Sequence, residues 1–257
     1  MRVIQPADLI TAFCSKPERR RLYEGLAKAT NIILTPASEG AWSTRTANGT
    51  RTITYTPTDH PEACLAHELL HIQLQENGYR CYLTAVSFAP KHDWVLFLLS
   101  KLDNELQHHK LYPAFLRLGF GPEHMYYDND RDTYRLIQKD IARFTSDSPV
   151  EFFLSAYVPT IAPGGAGTTQ DRLAIENQLR AKASTQTWKT LMAIRKVIME
   201  YRDSNTLDAA RTIARIMQLL GQYEPTWIGH TKRFPDDGIF IGNPFTMEEA
   251  RRALAGT

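Results

Sequence analysis

The chain has 257 residues, of which 43% are hydrophobic and 23% are charged, so it can bury a sizeable core in one large domain or two smaller ones. Its formal net charge is only +2, and neither half carries the basic excess typical of proteins that bind nucleic acid or a membrane surface. No stretch approaches the roughly 18 consecutive apolar residues of a membrane span. We therefore expect a globular protein with no nucleic-acid partner and no membrane partner.

The N-terminus and the cysteines bear on the compartment. The first residues, MRVIQPADLITAF, lack the cationic start and unbroken apolar region of a secretory signal. Cys14, Cys64 and Cys81 are an odd number without the spacing of a disulfide framework, which is typical of thiols in a reducing compartment. We expect a cytoplasmic protein, and an effector exported without a cleaved signal is the alternative that these features leave open.

The first elements along the chain are predicted to be two short helices and a small sheet. Residues 7–30 have apolar side chains at helical spacing, with an interruption near Pro17. The runs NIILTPA (31–37) and RTITYTP (51–57) are rich in β-branched residues, which favours strands. Asn48-Gly49 between Thr-rich arms is a strong signal for a hairpin turn.

A buried helix is predicted to follow the sheet. Asp59 is the expected N-cap, Pro61 lies in the first turn, and Glu62 has the spacing of a capping-box partner for Asp59. Asn77-Gly78 is a typical C-terminal stop. Apolar residues lie on two sides of this helix, so we expect it in the interior of its domain.

The remainder is predicted to be mostly helical. The expected elements are a long helix at 92–118 that Pro113 ends or kinks, a helix at 130–146, an apolar run at 152–158 that fits either a strand or a helix, helices at about 171–203 and 206–221, and a last short helix opened by Thr246. The expected fold class is α+β, predominantly helical, with a small N-terminal sheet. The expected domains are 1–158, a loop or linker at 159–170 rich in Pro, Gly and Thr, and a helical C-terminal region at 171–257.

The residues that carry chemistry are His67, Glu68 and His71, in the order H-E-x-x-H on the predicted helix. Two histidines four apart project to one helix face and can share a tetrahedral cation, and the adjacent Glu68 lies on the side of a metal-bound water. The ordinary alternative is two histidines on a buried helix without a metal. That alternative is costly, because each buried polar side chain would need its own hydrogen-bond partner.

These residues give the chain a resemblance to the zincin metallopeptidases. In zincins a strand precedes the H-E-x-x-H helix and a later helix supplies the third zinc ligand, an arrangement to which residues 51–109 are similar. The sequence IQLQENG after His71 lacks the H-x-x-G-x-x-H continuation of the metzincin branch. The chain is more similar to gluzincins and to the compact cytosolic ImmA/IrrE-like peptidases, whose third ligand is usually a Glu on the following helix.

The third ligand is sought in DNELQHHK (103–110), which contains Glu105, His108 and His109. Relative to the core stripe of this helix, Glu105 and His109 share a flank, whereas His108 projects farther round. Helical phase therefore favours Glu105 as the ligand and His109 as its partner or as a transition-state donor, with His108 as the rival. Asp103 could accept from a ligand imidazole or be an exposed carboxylate, and the whole cluster could be a solvated polar flank.

Four other polar aromatic residues occur in turn-rich segments from which they could reach a substrate. Their predicted roles are ordinary surface or packing roles. They are His124, Tyr126, Tyr127 and His230.

The resemblance implies a zinc-dependent peptidase that hydrolyses a peptide bond in a protein or peptide substrate. One Zn²⁺ per chain would be held by His67, His71 and Glu105, and Glu68 would activate the zinc-bound water, with His109 assisting. The strand at 51–57 is the expected edge for an extended substrate. By the same resemblance the substrate could be a regulator in a bacterial or phage stress response.

Two other functions use the same residues. One is a non-catalytic interaction protein that zinc stabilises and whose region 171–257 binds a partner. The other is a metal-dependent amidase that acts on a non-peptide substrate. The intact Glu68 argues against a purely structural site, which has no use for a carboxylate beside its ligand. The sequence does not indicate the oligomeric state.

Overall fold

The protein has a mixed α+β fold in which helices predominate. The computed structural model describes residues 4–80, 84–125, 130–164, 169–230 and 233–255, without the side chains of 130–135 and 254. The α-helices of this part of the chain are α1 (Pro6–Phe13), α2 (Pro17–Ala29), α3 (Pro61–Glu76), α4 (Val95–Arg117), α5 (Asp130–Arg143), α6 (Val150–Ile161), α7 (Thr169–Lys182), α8 (Thr185–Asp203), α9 (Ala210–Leu220) and α10 (Met247–Ala255). The strands are β1 (Asn31–Pro36), β2 (Ser43–Ala47), β3 (Thr50–Tyr55), β4 (Thr84–Ser87), β5 (Thr226–Gly229) and β6 (Gly238–Ile241). None of the described helices is both long enough and apolar enough to cross a membrane.

The N-terminal sheet has the strand order β1-β3-β2. β3 runs parallel to β1 and antiparallel to β2. Asn48 and Gly49 join β2 to β3 with φ angles of 49° and 74°, and the positive values at both positions are those of a type I′ turn. The predicted hairpin is therefore confirmed. The expectation that 51–57 forms a sheet edge is wrong. β3 lies in the middle of the sheet, with β1 on one side and β2 on the other.

Helix α3 is confirmed, but its start differs from the prediction. The N-cap is His60 rather than Asp59, with Pro61 in the first turn, where its missing N–H costs nothing. Glu62 pairs with Arg19 of α2 instead of closing a capping box. The helix ends at Glu76, one residue before the predicted Asn77-Gly78 stop.

The chain folds into two compact units, each assembled from separate stretches of sequence. The first comprises Met1–Asn77, Lys110–Lys139 and Ala162–Ile175, and the second comprises Gly78–His109, Asp140–Ile161 and Glu176–Thr257. The division after His109 falls inside α4, which continues as one helix through Pro113 to Arg117.

The core of the first unit surrounds α3. Leu65, Leu69 and Ile72 of this helix are completely buried, and they belong to one cluster with Leu111 and Phe115 from the second half of α4. Helices α1 and α2 pack on the same cluster, which confirms the two predicted N-terminal helices. Burial of large apolar side chains contributes roughly 1.5–3 kcal/mol for each. The packing therefore holds the second half of α4 firmly against α3.

The second unit contains a sheet that the sequence did not predict. Its antiparallel strands have the order β4-β5-β6 and only four residues each, too few for a periodic pattern to stand out. Trp227 of β5 lies over Gly229 and Gly238, where an added Cβ would fall within 1.9 and 2.1 Å of the indole ring. Any side chain at either glycine would displace this ring.

The helical elements of the second half differ in detail from the prediction. The ambiguous run at 152–158 lies in α6, which also includes 159–161 of the predicted loop, and 165–168 are outside the described residues. The single helix predicted at 171–203 is two helices, because Ser184 caps the start of α8 by accepting a hydrogen bond from the Thr187 N–H. Thr246 opens α10 as predicted, in a reciprocal capping box with Glu249.

Arg19 is a buried residue that ties three segments of the first unit together. Its side chain is 6% exposed, donates to the Glu62 carboxylate at the start of α3, and donates to the Leu118 carbonyl over 3.0 Å. Its guanidinium carbon lies 3.9 Å from the centre of the Phe120 ring. We expect Arg19→Met to lower the free energy of unfolding by about 2–3 kcal/mol, since Glu62 and a buried carbonyl lose their donor and Glu62 keeps some contact with solvent.

A urea titration of the Arg19→Met protein measures this loss. Arg21→Met is the matched control on the same helix, because Arg21 forms an exposed pair with Glu18 and such pairs are worth at most about 1 kcal/mol. Equal unfolding midpoints for the two variants would show that the Arg19 contacts do not stabilise the fold.

Candidate metal centre

The two histidines of H-E-x-x-H lie side by side on α3. The Nε2 atoms of His67 and His71 are 3.0 Å apart, and the two side chains are 4% and 9% exposed. Zn–N bonds of 2.0–2.1 Å in a tetrahedral site place two ligand nitrogens about 3.3–3.4 Å apart. The pair therefore fits a shared cation after a movement of a few tenths of an ångström.

A backbone carbonyl orients the first of these rings. Nδ1 of His67 lies 2.6 Å from the carbonyl oxygen of Met125, which is fully buried. Because a carbonyl can only accept, this nitrogen carries the proton and donates it, which leaves the lone pair on Nε2. A hydrogen bond of this type on the outer nitrogen fixes the tautomer of metal-binding histidines.

The next helix contributes a histidine with a carboxylate behind it. Nδ1 of His108 is 3.0 Å from Oε2 of Glu105, one turn earlier on α4, and both side chains are nearly inaccessible to solvent. With Nδ1 directed at this carboxylate, a metal at His108 would be bound through Nε2. A carboxylate behind a metal-binding imidazole fixes the orientation of the ring.

His67, His71 and His108 form a group that could hold a metal ion. One ligand atom from each side chain lies within 4.8 Å of the other two. Among the residues that the structure describes, it is the one such group of three or more His, Cys, Asp or Glu side chains. His108 precedes Leu111 by one helical turn, and Leu111 is held in the same core as α3. Both residues belong to the continuous helix α4.

The other residues predicted for the centre occupy different positions. Glu105 is outside the three-histidine group and contacts its member His108. His109 is 3% exposed and also outside the group. Asp103 is 7% exposed, so the suggestion of an exposed carboxylate is wrong, and it accepts hydrogen bonds from Tyr79 and Gln107 over 2.8 and 2.9 Å.

Glu68 is held by a residue of the neighbouring strand. Its side chain is only 4% exposed, and its Oε2 accepts a hydrogen bond from the Thr44 hydroxyl over 2.6 Å. Thr44 lies on β2, the outer strand beside α3. The carboxylate next to the first histidine is therefore anchored at one oxygen.

Two further residues, His124 and Cys14, are not members of the three-histidine group. His124 stacks near His60 with ring centroids 4.4 Å apart, and Tyr126 and Tyr127 are outside the described residues. Cys14 is half-buried, and burial raises the pKa of its thiol, which makes it a poor nucleophile. Cys81 is outside the described residues.

Comparison of the chain with protein-family models, with curated proteins and with solved structures found no match. The chemical interpretation of the site therefore depends on its own residues.

Two residues that contact the H-E-x-x-H side chains were not predicted from the sequence. Met125 acts through its backbone carbonyl, which no side-chain pattern can reveal. Thr44 is one of several threonines in the arms of the hairpin, and the contact with Glu68 depends on how β2 packs against α3. The only available signal for Thr44 was its place on a strand paired to the segment that precedes the H-E-x-x-H helix.

Proposed function

We propose that the protein is a zinc-dependent peptidase of the zincin type that hydrolyses a peptide bond in a protein or peptide substrate in the cytoplasm. The observation that carries this proposal is the three-histidine group on α3 and α4 with Glu68 beside it. Catalytic zinc sites characteristically use three protein ligands and keep a fourth position open, whereas structural sites are closed by four.

The proposed zinc ligands are His67, His71 and His108, so that His108 replaces Glu105 in the assignment made from sequence. Glu105 then supports His108 from behind, and the Met125 carbonyl supports His67. These contacts occupy the Nδ1 atoms of His67 and His108 and fix the orientation of both rings, so that zinc would bind each ring through Nε2. When bound, the zinc would supply Lewis acidity toward water and toward the substrate carbonyl.

Glu68 is the proposed general base. As the neighbour of His67 on the same helix, its carboxylate accepts a proton from the attacking water and returns it to the departing amine. Its burial favours this role, because a carboxylate screened from solvent keeps its orientation and exchanges protons with the reacting groups rather than with bulk water. A zinc site that served only to stabilise the fold would gain nothing from a buried carboxylate at this position.

The proposed substrate-binding element is β2. Among the described residues it pairs only with β3, so its other side offers unpaired backbone groups, and four of its five residues are exposed. An extended peptide can add to such an edge through main-chain hydrogen bonds, which demand little of its sequence. β2 takes the place of the strand at 51–57 in this role, because β3 is central.

Zinc analysis combined with a cleavage assay tests the proposal. We expect about one zinc per chain in the purified protein and hydrolysis of an unstructured protein such as casein, or of a mixed peptide library. Removal of zinc with a chelator should stop cleavage, and stoichiometric zinc should restore it. Absence of zinc uptake by the metal-free protein would contradict the metal centre, and zinc binding without cleavage of any polypeptide would contradict the peptidase.

A further inference from the structure

We propose that Thr44 is a positioning residue that holds the Glu68 carboxylate for proton transfer and links it to the substrate-binding edge. The inference rests on the proposed function, in which Glu68 is the base. In this proposal β2 both binds the substrate strand and orients the Glu68 carboxylate.

The side chain of Thr44 supplies the first half of the link. Its hydroxyl donates to Oε2 of Glu68 over 2.6 Å, a short hydrogen bond to a side chain that is 4% exposed. Fixing one carboxylate oxygen restricts the rotation of the terminal torsion, which is otherwise broad for glutamate. The other oxygen, Oε1, is thereby presented in a fixed direction.

The backbone of Thr44 supplies the second half. In a two-residue type I′ hairpin the closing pair, Ala47 with Thr50, is hydrogen-bonded, and the pairs alternate from there. Thr44 opposite Ile53 is then a non-hydrogen-bonded pair, and its N–H and C=O point away from β3. Thr44 can therefore contact Glu68 with its side chain and a substrate strand with its main chain at the same time.

Within the strand, this combination is specific to Thr44. Thr46 is also in a non-hydrogen-bonded pair, and its side chain is on the same face of the sheet as that of Thr44. Its hydroxyl, however, accepts from the Arg51 guanidinium. Arg51 in turn reaches Gln75 and Glu76 at the far end of α3 over 2.7 Å each. Thr46 is thus a matched control that shares the strand, the face and the residue type without touching Glu68.

The experiment compares Thr44→Val, Thr44→Ser and Thr46→Val in peptide hydrolysis and in crystal structures of the zinc-free proteins. Valine keeps the shape and β propensity of threonine but removes the donor, so we expect kcat of Thr44→Val to fall between about 10- and 100-fold, the range for a misplaced catalytic group. KM should change less than about twofold, because the backbone that binds substrate is unaltered. Thr44→Ser should retain kcat within about threefold, since it keeps the hydroxyl. Thr46→Val removes a hydroxyl from the same face of β2 that does not contact Glu68, so it should leave the Glu68 carboxylate in its present position.

The crystal structures give a readout that does not depend on activity. The Glu68 carboxylate should leave its present position in Thr44→Val and keep it in Thr44→Ser. Wild-type kcat in Thr44→Val, an unmoved Glu68 in that variant, or an equal displacement of Glu68 in Thr46→Val would overturn the inference. If Thr44→Val does not fold, Thr44→Ala against Thr44→Ser makes the same comparison. An inactive Glu68→Gln with a fully active Thr44→Val refutes only the role of Thr44, whereas an active Glu68→Gln refutes the proposed function.

Discussion

Replacing Glu68 with Gln is expected to abolish peptide hydrolysis while one zinc per chain stays bound. The substitution keeps the size of the side chain and its ability to accept from the Thr44 hydroxyl, so the local packing of α3 should survive. It removes the basic carboxylate, and an amide cannot take a proton from water at neutral pH. Loss of a general base typically lowers the rate 10²–10⁴-fold, and we expect kcat to fall by at least about a thousandfold.

The measurement pairs kcat with zinc content determined on the same samples. Glu76→Gln is the matched control, because Glu76 ends the same helix, forms an ion pair with Arg51 and lies two turns beyond Glu68. This control should keep both its activity and its zinc. Undiminished hydrolysis by Glu68→Gln would remove the residue from its role, and loss of zinc from this variant would make Glu68 part of the metal-holding set instead.

The H-E-x-x-H half of the site could be predicted because its geometry is local. Two histidines four residues apart on one helix must lie near each other, and His67 and His71 do so at 3.0 Å. The hairpin could be predicted for the same reason. Its two turn residues, Asn48-Gly49, fix both the turn type and the pairing of the strands that it joins. Neither inference needed knowledge of distant contacts.

The choice among Glu105, His108 and His109 could not be made in this way. Helical phase distinguishes such residues only where a helix has one core stripe and one solvated flank. The structure buries this turn of the helix on all sides, because Glu105, Leu106, Gln107, His108 and His109 are each at most 6% exposed. When every side of a helix is covered, the apolar pattern no longer indicates which side faces the partner helix. The answer then depends on tertiary packing, which the sequence does not display.

The sheet edge was missed for a related reason. RTITYTP is the more regular strand pattern, but alternation indicates one buried face and does not tell a central strand from an edge strand. β3 is central, and the irregular, exposed STRTA segment is the edge. A short polar strand is what natural sheets place at an edge, where a regular apolar one would invite aggregation. The polar composition of β2 was therefore the usable signal for its position.

Replacing His108 with Ala is expected to weaken zinc binding far more than replacing Glu105 with Gln. His108 belongs to the group with His67 and His71, whereas Glu105 only supports its outer nitrogen. Loss of a carboxylate behind a ligand histidine typically lowers metal affinity by about 10–100-fold, which is the effect we expect for Glu105→Gln. Removal of the ligand itself should exceed this range and leave a two-histidine site that loses zinc to a competing chelator.

Competition with a chromophoric zinc chelator at fixed pH measures both affinities on folded protein. His109→Gln is the control from the next position of the same buried turn, and its zinc affinity should equal that of the wild type. If Glu105→Gln loses more affinity than His108→Ala, then Glu105 is the ligand and His108 its support. Two neighbouring side chains that touch each other can be told apart in this way because a ligand donates an electron pair to the metal, whereas its support changes only the strength of that donation.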